Sequence, residues 1–518
     1  MRTNSLSAIP VIDLFAGPGG LGEGFASVDS ATHRPPFKIA LSIEKDDAAH
    51  RTLELRSFFR QFLPGGVPDE YYGLLRGQIS REKLFETFPT EASAARIQAW
   101  KATLGEISQP CVDERIRVAL GGGDRWVLCG GPPCQAFSLM GRSRSGGIDE
   151  KDDRVYLYRE YLRILSEHRP PVFVMENVPG LLSSKVGESV IFKQMLADLR
   201  CPDLSGNVQK GGPLYVLYSL VTRATAFDHN WNPSFEPRDF VIKCEDYGIP
   251  QSRHRVIIVG VRKDLDEGEI PVLQRSVKKV VAGRVLRGLP RLRSGLTRMK
   301  DGAVEWRTVL SGILRPGILE SLPNGRGASL KGDIGRMLKD LRIPRAGRGG
   351  EFVGCEGRSD YEAKWFCDPK LLGVCNHASR PHMPEDLQRY LFAACYTRLF
   401  GSSPELRDFP PPLLPNHKNV KDEEKKEYFD DRFRVQLASR PATTVTSHLA
   451  KDGHYYIHYD ETQCRSLTVR EAARLQTFPD NYFFCGTRTQ QYVQVGNAVP
   501  PLLARQIASI VLRVLSKM

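Results

Sequence analysis

The pattern of hydrophobic and polar positions predicts buried strands that alternate with helices. Short apolar runs occupy residues 10–15, 39–44, 126–129, 172–175, 214–221 and 256–259. Continuous apolar runs of this length are typical of strands that are covered on both faces. Between them lie segments with helical periodicity, for example residues 155–165. Because strands alternate with helices, we expect an α/β fold built on a parallel sheet.

Residues 51–125 interrupt this alternation soon after the second predicted strand. Their pattern predicts a mostly helical insertion, with the clearest helical pieces at 78–85 and 92–104. We treat the insertion as part of a first region that extends from residue 1 to 262.

The hydrophobic pattern and the composition of the chain change again at about residue 263. Up to about residue 435 the periodicity fades and Arg, Gly and Pro are frequent, and residues 409–415 and 421–431 have the composition of linkers. The α/β pattern then returns in residues 436–518. A capping box at Thr468 and Glu471 predicts the start of a helix there, and residues 502–515 predict a terminal helix.

The charge of the chain is concentrated in one segment. The 518 residues contain 73 Lys and Arg against 60 Asp and Glu, a net charge of +13. Residues 271–350 hold 18 Lys and Arg against five acids, so the excess in this segment equals the net charge of the whole chain. A basic surplus on one segment favours a polyanionic partner such as nucleic acid.

Composition also predicts the compartment. No apolar run approaches the roughly 20 residues of a membrane helix, and the N-terminus lacks the apolar core of a signal peptide. Eleven scattered cysteines do not form a disulfide framework, so we expect a cytoplasmic protein. The one group with metal-ligand chemistry has irregular spacing, which favours ordinary thiols over zinc: Cys355, Cys367, Cys375, His377 and Cys395.

Two motifs suggest a nucleoside ligand at the first strands. The segment Asp-Leu-Phe-Ala-Gly-Pro-Gly-Gly at residues 13–20 lies between a strand and a helix, where glycines let a ligand approach the backbone. Glu44 ends the second strand, where an acid holds ribose hydroxyls in nucleotide-binding folds. A purely structural turn explains the glycines equally well, so both interpretations stay open at this point.

A third motif predicts a nucleophile. Residues 130–138 read Gly-Gly-Pro-Pro-Cys-Gln-Ala-Phe-Ser and follow a strand, so Cys134 lies in a stiff loop at the sheet edge where ligands bind. A catalytic thiol needs a held geometry of this kind. Glu176 ends another buried strand, and Arg253 and Arg255 precede the next one at a spacing suited to holding phosphate or a carboxylate.

In this order, these motifs resemble those of the C5-cytosine DNA methyltransferase family, most closely its bacterial restriction–modification members. The resemblance covers about residues 1–50, 125–262 and 435–518, and includes the turn Gly-Asn-Ala-Val at residues 496–499. It implies a Rossmann-like methyltransferase sheet that binds S-adenosylmethionine, with a smaller inserted target recognition domain. That domain is expected at residues 263–435, which contain the basic segment. The catalytic domain is expected to comprise 1–262 and 436–518.

The resemblance also implies roles for individual residues. Cys134 would add to C6 of a cytosine flipped out of duplex DNA, and Glu176 would hold or protonate N3. Arg253 and Arg255 would stabilise the ring or an adjacent phosphate, with Arg253 the stronger catalytic candidate. The family's acid that contacts adenine is not evident here. The residues implied to contact the cofactor are Phe15, Gly17, Gly19, Glu44, Pro133, Leu157 and Asn497.

The implied partners follow from the same resemblance. We expect a monomer that acts on double-stranded DNA without a metal ion, alone or beside a cognate restriction endonuclease or other defence-system proteins. An RNA cytosine methyltransferase is the alternative within the same chemistry. A catalytically silent DNA-binding relative is the alternative from a different class, although Cys134 and Glu176 are both present.

Overall fold

The computed structural model describes residues 8–29, 35–132, 153–183, 185–186, 189–202, 214–229, 231–322, 325–356, 359–416 and 430–518. Its strands, in chain order, are β1 Ile9–Leu14, β2 Phe37–Glu44, β3 Ala99–Lys101, β4 Val127–Gly130, β5 Val172–Asn177, β6 Lys185–Val186, β7 Ser189–Val190, β8 Tyr215–Tyr218, β9 Ala226–Phe227, β10 Pro233–Ser234, β11 Val241–Lys243, β12 Gln251–Ser252, β13 His254–Arg262, β14 Gly295–Leu296, β15 Gly349–Gly354, β16 Gly373–Ala378, β17 Pro381–His382 and β18 Ala442–Thr443.

The α-helices in the described residues are α1 Gly20–Ala26, α2 Asp47–Phe59, α3 Asp69–Leu75, α4 Arg81–Thr87, α5 Pro89–Gln98, α6 Gln109–Leu120, α7 Asp153–His168, α8 Ile191–Arg200, α9 Ala282–Leu286, α10 Ala303–Ser311, α11 Arg326–Asp340, α12 Ala363–Phe366, α13 Pro384–Phe400, α14 Val469–Leu475, α15 Arg488–Asn497 and α16 Pro501–Lys517.

The central sheet has eight strands in the order β11–β13–β5–β4–β1–β2–β3, with β8 also paired to β13. The α/β class is confirmed, and the expected parallel sheet is found in part of the eight strands. Strands β1 to β5 pair in parallel, whereas β13 runs antiparallel to β5, β8 and β11. Only about ten residues join β11 to β13, too few for the crossover that a parallel pair needs.

Helices cover both faces of this sheet, and each face has its own apolar core. One core joins α1 and α16 to the sheet through side chains such as Phe25 and Leu503. The other joins α6, α7 and α8 to it through side chains such as Ile116 and Leu165. This double cover explains why the inner strands are apolar along their whole length.

The N-terminal insertion differs from its prediction in one respect. Helices α2 to α5 surround an aromatic core, as a helical insertion should. The predicted helix over 92–104, however, ends at Gln98, and the next three residues form β3 in parallel register with β2. The edge of β2 offers hydrogen-bond partners that a helix-compatible sequence cannot reveal, so the sheet extends into the predicted insertion.

The interval 263–435 contains more regular structure than its sequence pattern predicts. Helices α10, α11 and α13 pack around one apolar core of their own. The stretch 409–415, interpreted as a linker, is part of that core, because Phe409 and Leu413 are buried in it. Of the charged run 421–431, residues 421–429 lie outside the described residues.

The C-terminal stretch 488–517 is the one described segment with the length and hydropathy of a membrane span. Its most apolar window is 72% buried inside the protein, and the chain leaves helical geometry between α15 and α16.

Candidate active site

Most predicted site residues meet at the carboxyl edge of the parallel strands. Phe15 follows β1, Glu44 ends β2, Gly131 follows β4 and Glu176 lies in β5. Parallel strands bring these positions together because their carboxyl ends share one edge of the sheet. Pro133 and Cys134 lie outside the described residues, which resume at residue 153.

The glycine-rich loop after β1 adopts an unusual backbone conformation that leaves room beside it. Phe15, Gly17 and Gly19 have φ angles of 55°, 56° and 90°, in the left-handed region that favours glycine. A Cβ placed on Gly17 would meet no atom within 4 Å, whereas one on Gly19 would lie 2.7 Å from Leu53 Cδ2. Gly17 therefore faces open space that a ligand can fill, and Gly19 permits close packing against α2.

Glu44 is bonded to this loop. Its Oε2 accepts a hydrogen bond from the Gly17 amide at 2.8 Å, and its Oε1 accepts one from the Asp46 amide at 2.8 Å. Burial raises the pKa of Glu44, although both amides oppose the shift. The carboxylate thus positions the glycine loop directly, and each oxygen keeps a lone pair for a hydroxyl group.

The C-terminal part of the chain completes this side of the site. A Cβ on Gly20 would lie 2.2 Å from the Val499 carbonyl oxygen, so the turn after α15 lies against the glycine loop. Asn497, at the end of α15, is exposed beside that turn. Leu157 on α7 is partly buried against the core on the other face of the sheet. Open space at Gly17, an acid at Glu44 and the exposed amide of Asn497 fit a ligand with an apolar ring and hydroxyl groups.

The second half of the site is an ion pair at the end of β5. Glu176 Oε1 lies 2.8 Å from Arg255 Nε, and the two side chains are only 14% and 12% exposed. A Cβ on Gly131 would lie 2.7 Å from Glu176 Oε2. Asn177 Nδ2 donates to the carbonyl oxygen of Pro132, the last described residue before the Cys134 segment, at 3.4 Å. The chain therefore enters that segment beside the Glu176 carboxylate.

Arg253 and Arg255 do not share a ligand in the described structure. Arg253 is fully buried, and its Nη1 and Nη2 donate to the carbonyl oxygens of Val445 at 2.7 Å and Gly496 at 3.1 Å. Burial, reinforced by the charge of Arg255, lowers the pKa of Arg253 to about 9. Arg253 precedes β13, so the strand alternation expected to align the two side chains does not apply to it.

Other residues of the site were not identified from the sequence. The Tyr482 hydroxyl donates to the Pro18 carbonyl oxygen in the glycine loop. Thr444 Oγ1 donates to the Ser252 carbonyl oxygen at 2.5 Å, beside Arg253. Both contacts join positions about 190 residues or more apart, so no local pattern could reveal them. Asp13, in the quoted glycine motif, is buried, and this burial raises the pKa of its carboxyl to about 7.

The basic segment 271–350 is partly neutralised by ion pairs within the protein. Among the described residues, nine of its cations have a carboxylate partner within 4 Å: Lys279, Arg287, Arg291, Arg293, Lys300, Arg326, Lys331, Arg336 and Arg348. The Asp301 carboxylate forms ion pairs with both Arg293 and Arg348. Arg298 and Arg345 are exposed, and no ion pair to either is found in the described part of the chain.

Comparison with known proteins identifies the family. The sequence model of the C-5 cytosine-specific DNA methylase family matches residues 98–202, 235–301 and 403–513, more than half of the chain. The type II methyltransferase M.Bpa9945I of Bacillus paralicheniformis is 33% identical over 516 residues, covering 96% of this chain and 97% of the relative. M.AgeI of Thalassovita gelatinovora is 28% identical, again over 96% and 97% of the two chains.

The fold is also found in a solved structure. A prophage-encoded Escherichia coli protein described as a DNA modification methyltransferase superposes with a TM-score of 0.51 at 18% identity, over 98% of this chain and all of that one. At this identity the likeness concerns the fold alone. The family model and the full-length relative carry the assignment: this chain belongs to the C-5 cytosine-specific DNA methylase family, enzymes that methylate carbon 5 of cytosine in DNA.

Proposed function

We propose that the protein methylates one cytosine within a specific duplex DNA sequence, with S-adenosylmethionine as the methyl donor and Cys134 as the nucleophile. The observation that carries this proposal is the Glu176–Arg255 pair, which lies against Gly131 where the chain enters the Cys134 segment. A nucleophile and an acid beside one another are what attack on a pyrimidine ring requires.

In this proposal the cofactor supplies an electrophilic methyl group on a sulfonium centre. Gly17 would leave room for it, Glu44 would accept hydrogen bonds from its ribose, and Asn497 would contact it from the C-terminal turn. Phe15 and Leu157 would contribute apolar contacts, with Gly19 as the close-packing residue of the loop. Pro133, outside the described residues, is the remaining proposed contact.

The chain's own residues carry the reaction on cytosine. The target base leaves the helix stack, and the Cys134 thiolate forms a bond to C6. Glu176 holds a proton at N3, so negative charge that develops on the ring is neutralised there. Arg255 keeps the Glu176 carboxylate in place and can reach the ring or its phosphate with its remaining N–H groups. C5 would then bond to the methyl group as its bond to the sulfonium sulfur breaks and a neutral thioether leaves. The C5 proton would pass to solvent water, and the C6–S bond would break with its electron pair returning to the Cys134 thiolate.

We assign Arg253 a positioning role instead of a catalytic one. Its two bonds tie β12 and the start of β13 to Val445 and to the end of α15, which lies against the glycine loop. A guanidinium without exposed surface has no route to a ligand in this arrangement. Arg253 therefore helps to position both the turn after α15, beside the glycine loop, and the start of β13, which carries Arg255.

The DNA partner would be held by the exposed cations of the interval 263–435, the proposed target recognition domain. Arg298 and Arg345 are better candidates for phosphate contacts than Arg293, which is 11% exposed and paired with Asp301. Type II methyltransferases among the relatives support a role as the modification enzyme of a restriction–modification or other defence system in the bacterial cytoplasm.

Transfer of a labelled methyl group from S-adenosylmethionine tests the proposed reaction. We expect label in duplex DNA and none in RNA, and sequencing of host DNA should show methylated cytosines in one sequence context. Cys134→Ser should lose transfer because a hydroxyl is a far weaker nucleophile than a thiolate. Cys111→Ser is the matched control, since Cys111 is an exposed thiol on α6. Transfer to RNA alone, or substantial transfer by Cys134→Ser, would contradict the proposal.

A calorimetric titration tests the cofactor contact separately. Glu44→Ala should weaken binding of S-adenosylmethionine about tenfold, for about 1.4 kcal/mol of lost hydrogen bonding. Glu114→Ala, an exposed acid on α6 paired only with Arg117, is the control. Unchanged affinity in Glu44→Ala would leave Glu44 with only its role in holding the Gly17 amide.

A further inference from the structure

A continuous chain of polar contacts joins α1, the helix after the glycine loop, to the proposed target recognition domain at residues 263–435, which we call the recognition region. Glu23 on α1 accepts from Arg56 Nε of α2 at 2.9 Å, and Arg56 Nη1 donates to Asn481 Oδ1 at 3.1 Å. Asn481 Nδ2 donates to Asp368 Oδ2 at 2.7 Å, and the Tyr72 hydroxyl of α3 donates to the same oxygen at 2.7 Å. We call these five residues the polar chain.

The polar chain is buried and strongly bonded. Glu23, Arg56 and Asn481 are each less than 8% exposed. Burial opposes ionisation of Glu23, but Arg56 and Arg60 outweigh it and hold the pKa of Glu23 at about 2. Charge-assisted bonds in such surroundings are short and orientation-specific, so each link holds its two partners at a defined distance.

Glu23 and Asp368, two members of the polar chain, lie in different parts of the protein. Glu23 is on α1, which begins directly after the glycine loop that contains Gly17. Asp368 lies in the interval 263–435, where its Oδ1 also accepts from the Lys370 amide at 3.0 Å. The sequence alone showed no role for the N-terminal insertion. Its helix α2 supplies Arg56, which joins Glu23 to Asn481, and its helix α3 supplies Tyr72, which bonds to Asp368 beside Asn481.

Further contacts fasten the same recognition segment to the insertion. Lys370 Nζ donates to the Val67 carbonyl oxygen at 2.9 Å, and Arg76 Nη1 donates to the Lys370 carbonyl oxygen at 3.1 Å. Leu371 and Cys375 are buried in the aromatic core of the insertion. The insertion is therefore a brace between the cofactor loop and the recognition region.

We propose that this brace couples cofactor binding to DNA binding, with Asn481 and Tyr72 as positioning residues; the inference rests on the function proposed above. A cofactor that orders the glycine loop also restrains α1, and the polar chain passes that restraint to Asp368. The recognition region is then already restrained when DNA binds, so DNA binding loses less conformational entropy. Coupling of this kind is reciprocal, so DNA tightens the cofactor site by the same factor.

The test measures the coupling itself. Affinity for a fluorescent duplex carrying the host's methylated site is determined with and without S-adenosylhomocysteine, the unreactive cofactor product. We expect the wild type to bind DNA about tenfold more tightly with S-adenosylhomocysteine present. Asn481→Ala should reduce that factor to about twofold or less, and Tyr72→Phe, which removes one oxygen, should give an intermediate factor.

Tyr215→Phe is the matched control. It also removes one buried hydroxyl, which donates to the Pro170 carbonyl oxygen at 3.0 Å inside the catalytic sheet, away from the polar chain. Its coupling factor should equal that of the wild type. A general loss of stability would weaken both ligands in all variants, whereas loss of the polar chain lowers the coupling factor while each ligand still binds alone.

The outcomes separate this inference from the proposed function. A wild type that does not bind S-adenosylhomocysteine would overturn both. A wild type that binds both ligands without mutual effect would overturn the coupling alone, and so would full coupling in Asn481→Ala. If Asn481→Ala does not fold, Tyr72→Phe decides, and a factor equal to that of Tyr215→Phe refutes the proposal.

Discussion

The same substitution at Arg253 and Arg255 should have different consequences for turnover. Arg253→Met keeps the length of the side chain but leaves the Val445 and Gly496 carbonyl oxygens without their donors. An unsatisfied buried acceptor costs about 1–3 kcal/mol, so the two together cost about 2–6 kcal/mol. The variant also no longer buries a guanidinium, which offsets part of this loss. We expect a net destabilisation of about 2–4 kcal/mol.

Arg255→Met should affect turnover as well as stability. Arg255 and Glu176 are only 12% and 14% exposed, so removal of Arg255 leaves a largely buried carboxylate without its partner and should cost about 3 kcal/mol of the free energy of unfolding. Without Arg255 the Glu176 carboxylate is no longer held at the ring, and kcat should fall about 100-fold or more. Binding of duplex DNA should persist because the exposed cations of the proposed target recognition domain, such as Arg298 and Arg345, remain.

Thermal unfolding and single-turnover methyl transfer, measured on both variants, distinguish the roles. At roughly 2 °C per kcal/mol, Arg253→Met should lower the melting temperature by about 4–8 °C, while residual folded enzyme keeps near-normal turnover. Arg255→Met should lower the melting temperature by about 6 °C as well, so turnover per folded enzyme distinguishes the two variants. A normally stable Arg253→Met without activity would show that Arg253 acts on the substrate and that the positioning role is wrong.

Three further predictions follow from the packing and charges. Gly24→Ala should destabilise the protein by about 1–3 kcal/mol in chemical denaturation, because its Cβ would lie 2.3 Å from that of Ala504; an unchanged midpoint would refute this. Burial raises the pKa of Asp13 to about 7, so the folded protein holds a proton that the unfolded chain releases near pH 4. The free energy of unfolding of the wild type, measured by chemical denaturation, should therefore fall as pH rises from about 4 to 7, and Asp13→Asn should remove that fall. Arg345→Ala should lower the salt slope of DNA binding by about one unit, whereas Arg293→Ala should leave the slope unchanged, and equal slopes would contradict the assignment of Arg345 to phosphate.

The sequence by itself determined the class of the fold and the placement of its motifs. Short apolar runs without alternation are typical of strands covered on both faces, and the motifs at residues 13–20, Glu44 and Glu176 each lie at the end of such a run. Parallel strands then bring these positions to one edge whatever the rest of the chain does. The family could be recognised from the same residues, because its chemistry needs those side chains in that order.

Only the tertiary structure decided which side chains work together. Arg253 and Arg255 have the same chemistry in sequence. Contacts with Val445 and Gly496, about 190 and 243 positions away, bury Arg253 against backbone carbonyl oxygens, whereas Arg255 lies beside Glu176. Strand β3 likewise forms because its backbone pairs with the edge of β2, and this pairing overrides a local preference for helix. Long-range partners have no local signature, so neither outcome was accessible from the order of residues.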